Sequence, residues 1–367
     1  MKVPFLRLYR SLPGLVSGAL VLSVLLGTVR WVGAPGFPSS PKTGGEDLGA
    51  ELTEHLSQTA AGVFSGEKRY WIGRRALSAP KPDPQRFHRT ENPGNLDFSQ
   101  AEALLDGQSL FFSPQVTLVP GTPVRWYLDE TILAITWKQV VDGGVYTFSE
   151  VKIAHPSQFR RFLAGGEFGS EKLYVTTEMA KSVNAVVASS GDFYGYRQAG
   201  TLVYDGVVRR VDNGLVDTCY VDKNGDLHFG SREDALTREE AQALVDRQGI
   251  LFSLAFGPVL IEEGKVVTPD SYAVGEINDH YPRAALCQLG KLHYLLAVVN
   301  GEEAYPEVPT IHQFAQNLLD RGIRTAYALD GGQTAVIAMD GQLINAVLYG
   351  HQRPISDIIY FATAVGG

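Results

Sequence analysis

The chain has 367 residues, 44% hydrophobic and 20% charged, enough to bury a sizeable core in one large domain or two ordinary ones. Its formal net charge of −8 speaks against a nucleic-acid partner, which is ordinarily met by a basic face. Two cysteines are too few for a disulfide-rich scaffold, so Cys219 and Cys287 read first as buried thiols, with a disulfide left open if the domain is exported.

In chain order, the first element is an apolar run. No charged residue occurs from Ser11 to Val29, with Lys2, Arg7 and Arg10 before it and Arg30 after it. A helix of that length comes close to the ~30 Å of a hydrocarbon core. The basic residues on its amino side predict a cytoplasmic tail (1–10), a transmembrane anchor (11–32) and export of everything that follows. A cleaved signal peptide is the competing reading, and the absence of a clear A-x-A site before Arg30 and Trp31 favours the uncleaved anchor. Residues 33–115 then read as a tether of open order. Gly33 to Gly45 is rich in Gly, Pro and Ser, and Pro80, Pro82, Pro84 and Pro93 punctuate the later part, while apolar spacing allows some helix between Leu48 and Phe64.

From about Val116 to the end the pattern is strands, hairpins and a few short helices. Asp205-Gly206 and Asp340-Gly341 each separate two apolar runs and predict two-residue hairpin turns. Thr237 with Glu240, and Thr310 with Gln313, are capping boxes that open helices, with Gly249 and Gly322 as their stops. Without regular strand–helix alternation the class is α+β, a strand-rich mixed-sheet domain over 116–367 with scattered short helices. Asp222, Asn224, Asp226 and Glu233 have the spacing of a calcium loop, but Leu227 stands where that loop needs Gly, so Asn224-Gly225 reads as a hairpin turn instead. The chain lacks zinc-ligand spacing, a G-x-S-x-G elbow and a phosphate loop of the G-x-x-x-x-G-K type, and no cofactor or metal is called for.

Four turns remain, each beside an apolar strand: Ser190-Gly191-Asp192-Phe193-Tyr194, Asp279-His280-Tyr281-Pro282-Arg283, Leu329-Asp330-Gly331-Gly332-Gln333 and His351-Gln352-Arg353-Pro354. Strand ends and their loops are where rigid scaffolds carry reactive groups. A carboxylate there can activate water or stabilise an oxocarbenium-like sugar. An Arg can hold a phosphate with two parallel hydrogen bonds.

The order and wording of these turns resemble the phosphodiester glycosidase family, whose bacterial branch is often labelled exopolysaccharide biosynthesis. Family members show N-G-D-F-Y, P-R-T-A-I-G, L-D-G-G-G-S-S and R-P-V-S-D segments. This chain has Ser190-Gly191-Asp192-Phe193-Tyr194, Pro282-Arg283-Ala284-Ala285-Leu286-Cys287, Leu329-Asp330-Gly331-Gly332-Gln333-Thr334-Ala335 and Arg353-Pro354-Ile355-Ser356-Asp357, with Phe256-Gly257-Pro258 as a further match. The resemblance runs from about Thr117 to Gly367. It departs from the pattern at Ser190, Ala284, Cys287, Gln333 and Thr334. It implies an extracytoplasmic hydrolase that removes a sugar, of the N-acetylglucosamine type, from a glycosyl-1-phosphodiester of envelope or exopolysaccharide glycans. Asp330, Asp192 and Arg283 are then the catalytic candidates, and Gly331, Gly332, Gln333, His280, Tyr194 and Arg353 the substrate-binding ones. The changed residues after the Gly pair keep a second reading open, a catalytically weakened protein that binds envelope glycans or serves as a structural component. The implied partners are a glycan or sugar-phosphodiester substrate and the membrane, through the N-terminal helix.

The anchor makes a prediction of its own. The protein should fractionate with membranes, and protease added to intact cells should digest the C-terminal domain; full protection of that domain would reverse the topology.

Overall fold

The computed structural model describes residues 78–366, apart from 212–213, 235 and 275. The predicted anchor and the apolar spacing of 48–64 lie outside the described residues. Among the described residues no helix is long and apolar enough to cross a membrane.

The described residues form three sheets. The largest has nine strands, in the order Phe87–Thr90, Val124–Leu128, Ile132–Val141, Gly144–Ile153, His293–Asn300, Arg283–Gly290, Ala326–Leu329, Val259–Glu262 and Lys265–Val266. A second, five-stranded sheet runs Leu227–Gly230, Thr218–Asp222, Ile250–Leu254, Leu202–Tyr204, Val207–Arg210. A third, also of five strands, runs Gln342–Leu343, Ile337–Met339, Val187–Ser190, Asp357–Phe361, Phe159–Leu163.

The central strands of the large sheet are buried on both faces, which is why they read as continuous apolar runs and not as alternating ones. One face, with Ala134, Val151, Leu286, Leu296 and Tyr327, packs on Cys219, Phe252, Ile337 and Phe361 of the two smaller sheets. The other face, with Ile135, Trp137, Phe148, Leu295 and Ala328, is covered by Ile311, Phe314 and Leu318 of the helix Ile311–Leu319. The helices Thr176–Ser182 and Arg238–Gln248 cover the third and second sheets, through Met179 and Val245 respectively.

The α+β reading holds in outline, but the sheets are not mixed. Every pairing between the named strands is antiparallel. For strands adjacent in sequence the physical reason is connection length. Neighbours such as Ile132–Val141 with Gly144–Ile153, and Arg283–Gly290 with His293–Asn300, are joined by two residues, and a parallel pair needs a crossover of a dozen or more. The predicted hairpins form as read. Asp205-Gly206 and Asp340-Gly341 both turn with positive φ at each residue, and Asn224-Gly225 closes the hairpin between Thr218–Asp222 and Leu227–Gly230. Asp222 Oδ1 accepts the amides of Asn224 and Asp226, at 2.8 and 2.9 Å, as a turn residue does. Both capping boxes are present, and both cysteines are buried and free.

The sequence leaves the order of 33–115 open; from Ala79 on, the structure packs it onto the sheet. Phe87–Thr90 is the edge strand, and Phe98 and Phe112 lie edge-on to Trp126 and Trp137. The buried Glu150 carboxylate fixes this segment by accepting Phe111 N at 2.8 Å, Phe112 N at 2.7 Å and His293 Nε2 at 2.7 Å. Replacing Glu150 with Ala strands two amides and an imidazole, so a loss of about 3 kcal/mol is expected. Urea unfolding should show it, with faster proteolysis at residues 96–115; an unchanged midpoint would contradict this role.

Candidate functional site

The four turns do not all deliver their side chains to one place. The turn after the strand Ala326–Leu329 carries Asp330, whose side chain is only 6% exposed and whose Oδ2 accepts Arg353 Nη2 at 2.6 Å. Burial pushes the Asp330 carboxyl above its ordinary value, while Arg353, Arg197 and the Thr334 hydroxyl pull it back down. Arg353 lies over the Phe193 ring at 5.0 Å; one end of its guanidinium meets Asp330 and its Nε is buried, while the side chain as a whole is 41% exposed. Arg197 lies over the Phe256 ring at 4.8 Å. Burial lowers its pKa, opposed first by Asp330, and an arginine stays charged at neutral pH all the same. The result is one carboxyl under two cations, each of them seated on an aromatic ring.

The Gly pair shapes this turn. Gly332 has φ 63°, and a Cβ there would come within 2.7 Å of the Tyr281 ring, so only glycine brings the two loops together. Its N–H donates to Pro282 O at 2.9 Å, and the Gly331 carbonyl accepts the Thr334 hydroxyl at 2.6 Å. The Gly332 amide is therefore engaged by protein and is not an anion donor. Gln333 is at the rim, with Nε2 3.2 Å from His351 Nε2, and links this turn to the one bearing Arg353. Two aromatics are exposed beside it. Tyr196, 45% exposed, stacks on Phe193 at 5.3 Å, and Tyr349 is 75% exposed in the left-handed region at φ 61°.

The other candidates belong elsewhere. Arg283 is buried, and its guanidinium donates to the carbonyls of Glu276 at 3.0 Å, Asp279 at 2.5 Å and Pro309 at 3.5 Å. Burial lowers it to about 10, and it ties down the loop before its strand. That geometry corrects its reading as the phosphate-holding cation, because the fork is turned to carbonyl oxygens of its own chain. Asp192 is fully buried in an ion pair with Arg161 at 2.5 Å, which removes it from any solvent-reached position. Tyr194 is also buried, below the Arg161 guanidinium at 5.6 Å and stacked on Phe168 at 5.5 Å. His280 Nδ1 donates to Val308 O at 2.7 Å, and the residue lines a separate cavity of about 110 Å³ with Tyr146, Glu307 and Gln313.

Sequence reasoning missed Arg197 and Arg161. Arg197 follows the Phe193-Tyr194 turn closely, a signal that was present; Arg161 sits in Phe159–Leu163, where two arginines interrupt an apolar strand.

Residues 183–362 match the sequence model of the family described as phosphodiester glycosidase. A Bacillus subtilis (strain 168) protein, described as the SPbeta prophage-derived uncharacterized protein YomE, is 25% identical over 201 residues. Those residues are 52% of this chain and 30% of that protein, so the chain spans under a third of that relative's length. Among solved structures, the zebrafish N-acetylglucosamine-1-phosphodiester alpha-N-acetylglucosaminidase catalytic domain, auto-inhibited by its pro-peptide, superposes with a TM-score of 0.49 at 18% identity, over 63% of this chain and 82% of that one. A hypothetical protein from Synechocystis superposes with a TM-score of 0.47 at 15% identity, over 66% and 64%.

The two arginines of the sequence reading should now separate in experiment. Arg283→Lys gives up the two-pronged contact with the loop carbonyls and should lower the urea midpoint, by about 1–3 kcal/mol for the groups left unpaired. Arg353→Lys should leave stability nearly unchanged and weaken anion binding. Equal stability losses in both would show that the two arginines do not differ in this way.

Proposed function

We propose that this domain hydrolyses glycosyl-1-phosphodiesters, releasing a free sugar and a phosphomonoester. One observation carries the reading: a buried carboxyl, Asp330, held at 2.6 Å by Arg353 and flanked by Arg197, on the Asp-Gly-Gly turn of a phosphodiester glycosidase domain. The leaving group, a phosphomonoester, is stable as an anion, so it needs less protonation than an ordinary glycosidic oxygen. What it needs is positive charge at the phosphate and a carboxylate at the anomeric carbon. Arg353 and Arg197 supply the first and Asp330 the second. Water attacks the anomeric carbon and its proton passes to Asp330, while the bond from that carbon to the phosphate oxygen breaks and both its electrons leave with the phosphate. The same carboxylate stabilises positive charge on the ring as the bond lengthens.

The resemblance makes N-acetylglucosamine the first sugar to test. The uncharged run Ser11 to Val29, with its basic amino flank, supports an envelope location and a glycan or exopolysaccharide substrate.

Turnover of a chromogenic or nucleotide-linked sugar-1-phosphodiester tests the reading. Asp330→Asn keeps the shape and removes the charge, and kcat should fall ~10²-fold or more, the scale of general acid–base contributions, with folding retained. Near-normal turnover in a folded Asp330→Asn protein would sink the assignment. The pH profile has a definite sign as well. Because burial raises Asp330, the limb of kcat/KM that reports its ionisation should lie above the ~3.9 of an exposed Asp. Arg353→Gln removes a cation that holds the carboxyl down, so that limb should move to still higher pH; a shift to lower pH would contradict the pairing.

A further inference from the structure

Three charges that solvent does not reach lie directly behind this site. The side chains of Arg161, Asp192 and Asp357 are all 0% exposed. Arg161 Nη2 is 2.5 Å from Asp192 Oδ1 and 2.9 Å from Asp357 Oδ2, its Nε donates to Asp357 Oδ2 at 3.1 Å, and its Nη1 donates to Ser253 O. One guanidinium between two carboxylates is an expensive thing to bury, since each ion gives up its hydration. An apolar set of the same volume would serve a core as well. The question is what these three charges hold.

We propose that Arg161, Asp357 and Asp192 form a positioning unit that sets both arginines and the carboxylate of the hydrolytic site, a role that rests on the reading of Asp330, Arg353 and Arg197 given above. Each carboxylate reaches one of the two aromatic seats. Asp357 accepts Asp192 N at 3.2 Å and Phe193 N at 2.9 Å, which fixes the turn whose Phe193 ring carries Arg353. Gly191 in that turn donates its N–H to Asp357 O at 3.2 Å, and its carbonyl accepts Asp330 N at 3.3 Å. A Cβ at residue 191 would fall inside the Asp357 carboxylate, so the close approach depends on glycine. Phe193 itself sits at φ 54°, a conformation a bulky side chain adopts only when its surroundings impose it. Asp192 Oδ2 in turn accepts Ala255 N at 2.6 Å, one residue before Phe256, whose ring carries Arg197. One guanidinium therefore sets the relation between two loops far apart in sequence, and with it the spacing of the two cations over Asp330. Burial raises the Asp357 carboxyl, opposed by Arg161 and reinforced by Asp192, as expected where two acids share one base.

Asp357→Asn and Asp192→Asn, made in the full chain, test this by hydrogen exchange at single amides alongside steady-state turnover of a chromogenic sugar-1-phosphodiester. Asp357→Asn should speed exchange at Phe193 and Asp330 by ~10-fold or more, and Asp192→Asn at Ala255 and Phe256. The central amides of Leu286 and Leu296 should keep their protection in both. In both variants kcat should fall ~10-fold or more. Exchange that rises evenly across the fold, or at neither loop, would show a merely structural ion pair and overturn the proposal. Should wild-type protein lack turnover, the hydrolase reading fails and the exchange pattern alone decides the positioning role. If the charge variants do not fold, Phe193→Leu and Phe256→Leu leave the three charges intact while removing the seats. Unchanged kcat in both would overturn the proposal, and a ~10-fold loss in each would sustain it.

Discussion

A buried guanidinium has to be answered, and the way Arg161 is answered fixes the rest of the site. Its partners come from three separate places in the chain. Asp357 opens the last strand of the third sheet, Asp192 follows the strand Val187–Ser190, and the Ser253 carbonyl belongs to the second sheet. The two small sheets are thereby tied at one point, on the side where both pack against the large one. A hydrogen-bonded charge is directional in a way that apolar packing is not. It fixes the angle and depth at which the loops leave the sheets, where an apolar contact would leave them free to slide.

The large sheet supplies the other half of that rigidity. Asp330 emerges from Ala326–Leu329, which is paired on one side with Arg283–Gly290 and on the other with Val259–Glu262. A central strand covered on both faces has little freedom to shift, so the carboxyl it delivers stays in register with its neighbours. The Gly332 amide bound to Pro282 O and the Arg283 fork on the 276–282 carbonyls then close the loops around it. The family match begins at 183, yet Arg161 and the strands from Phe87 to Leu163 precede it. The unit that does the positioning is thus larger than the matched segment.

The Asp330–Arg353 contact is a compromise between two demands. A carboxyl taken out of water holds its proton to higher pH, which leaves less of it ionised and ready to act as a base. A cation at 2.6 Å favours the charged form, and the side chain of that cation is 41% exposed. In the proposed hydrolysis a phosphate would compete with this carboxylate for Arg353, with Arg197 as the second cation on the far aromatic seat.

What the sequence determined by itself was local. The Asp-Gly hairpins, the Thr237 and Thr310 capping boxes and the rejection of a calcium loop at Asp222 each depend on residues within a few positions of one another, and each formed as read. The order of the four turns was also legible, because strand-to-turn signals are contiguous. The mixed-sheet expectation failed for want of pairing information, and the order of 79–115 was hidden because Phe98 and Phe112 find their partners 28 and 25 residues further on, at Trp126 and Trp137. Above all, only the tertiary structure decided what each charged side chain faces. Asp192 and Asp330 look alike as acids after apolar strands, yet one is enclosed with the fully buried Arg161 and the other is paired with the part-exposed Arg353. Arg283 and Arg353 look alike beside prolines, yet one fork meets carbonyls and the other a carboxylate. A side chain's chemistry is set by its nearest few ångströms, and those are filled by residues that the chain brings from far away.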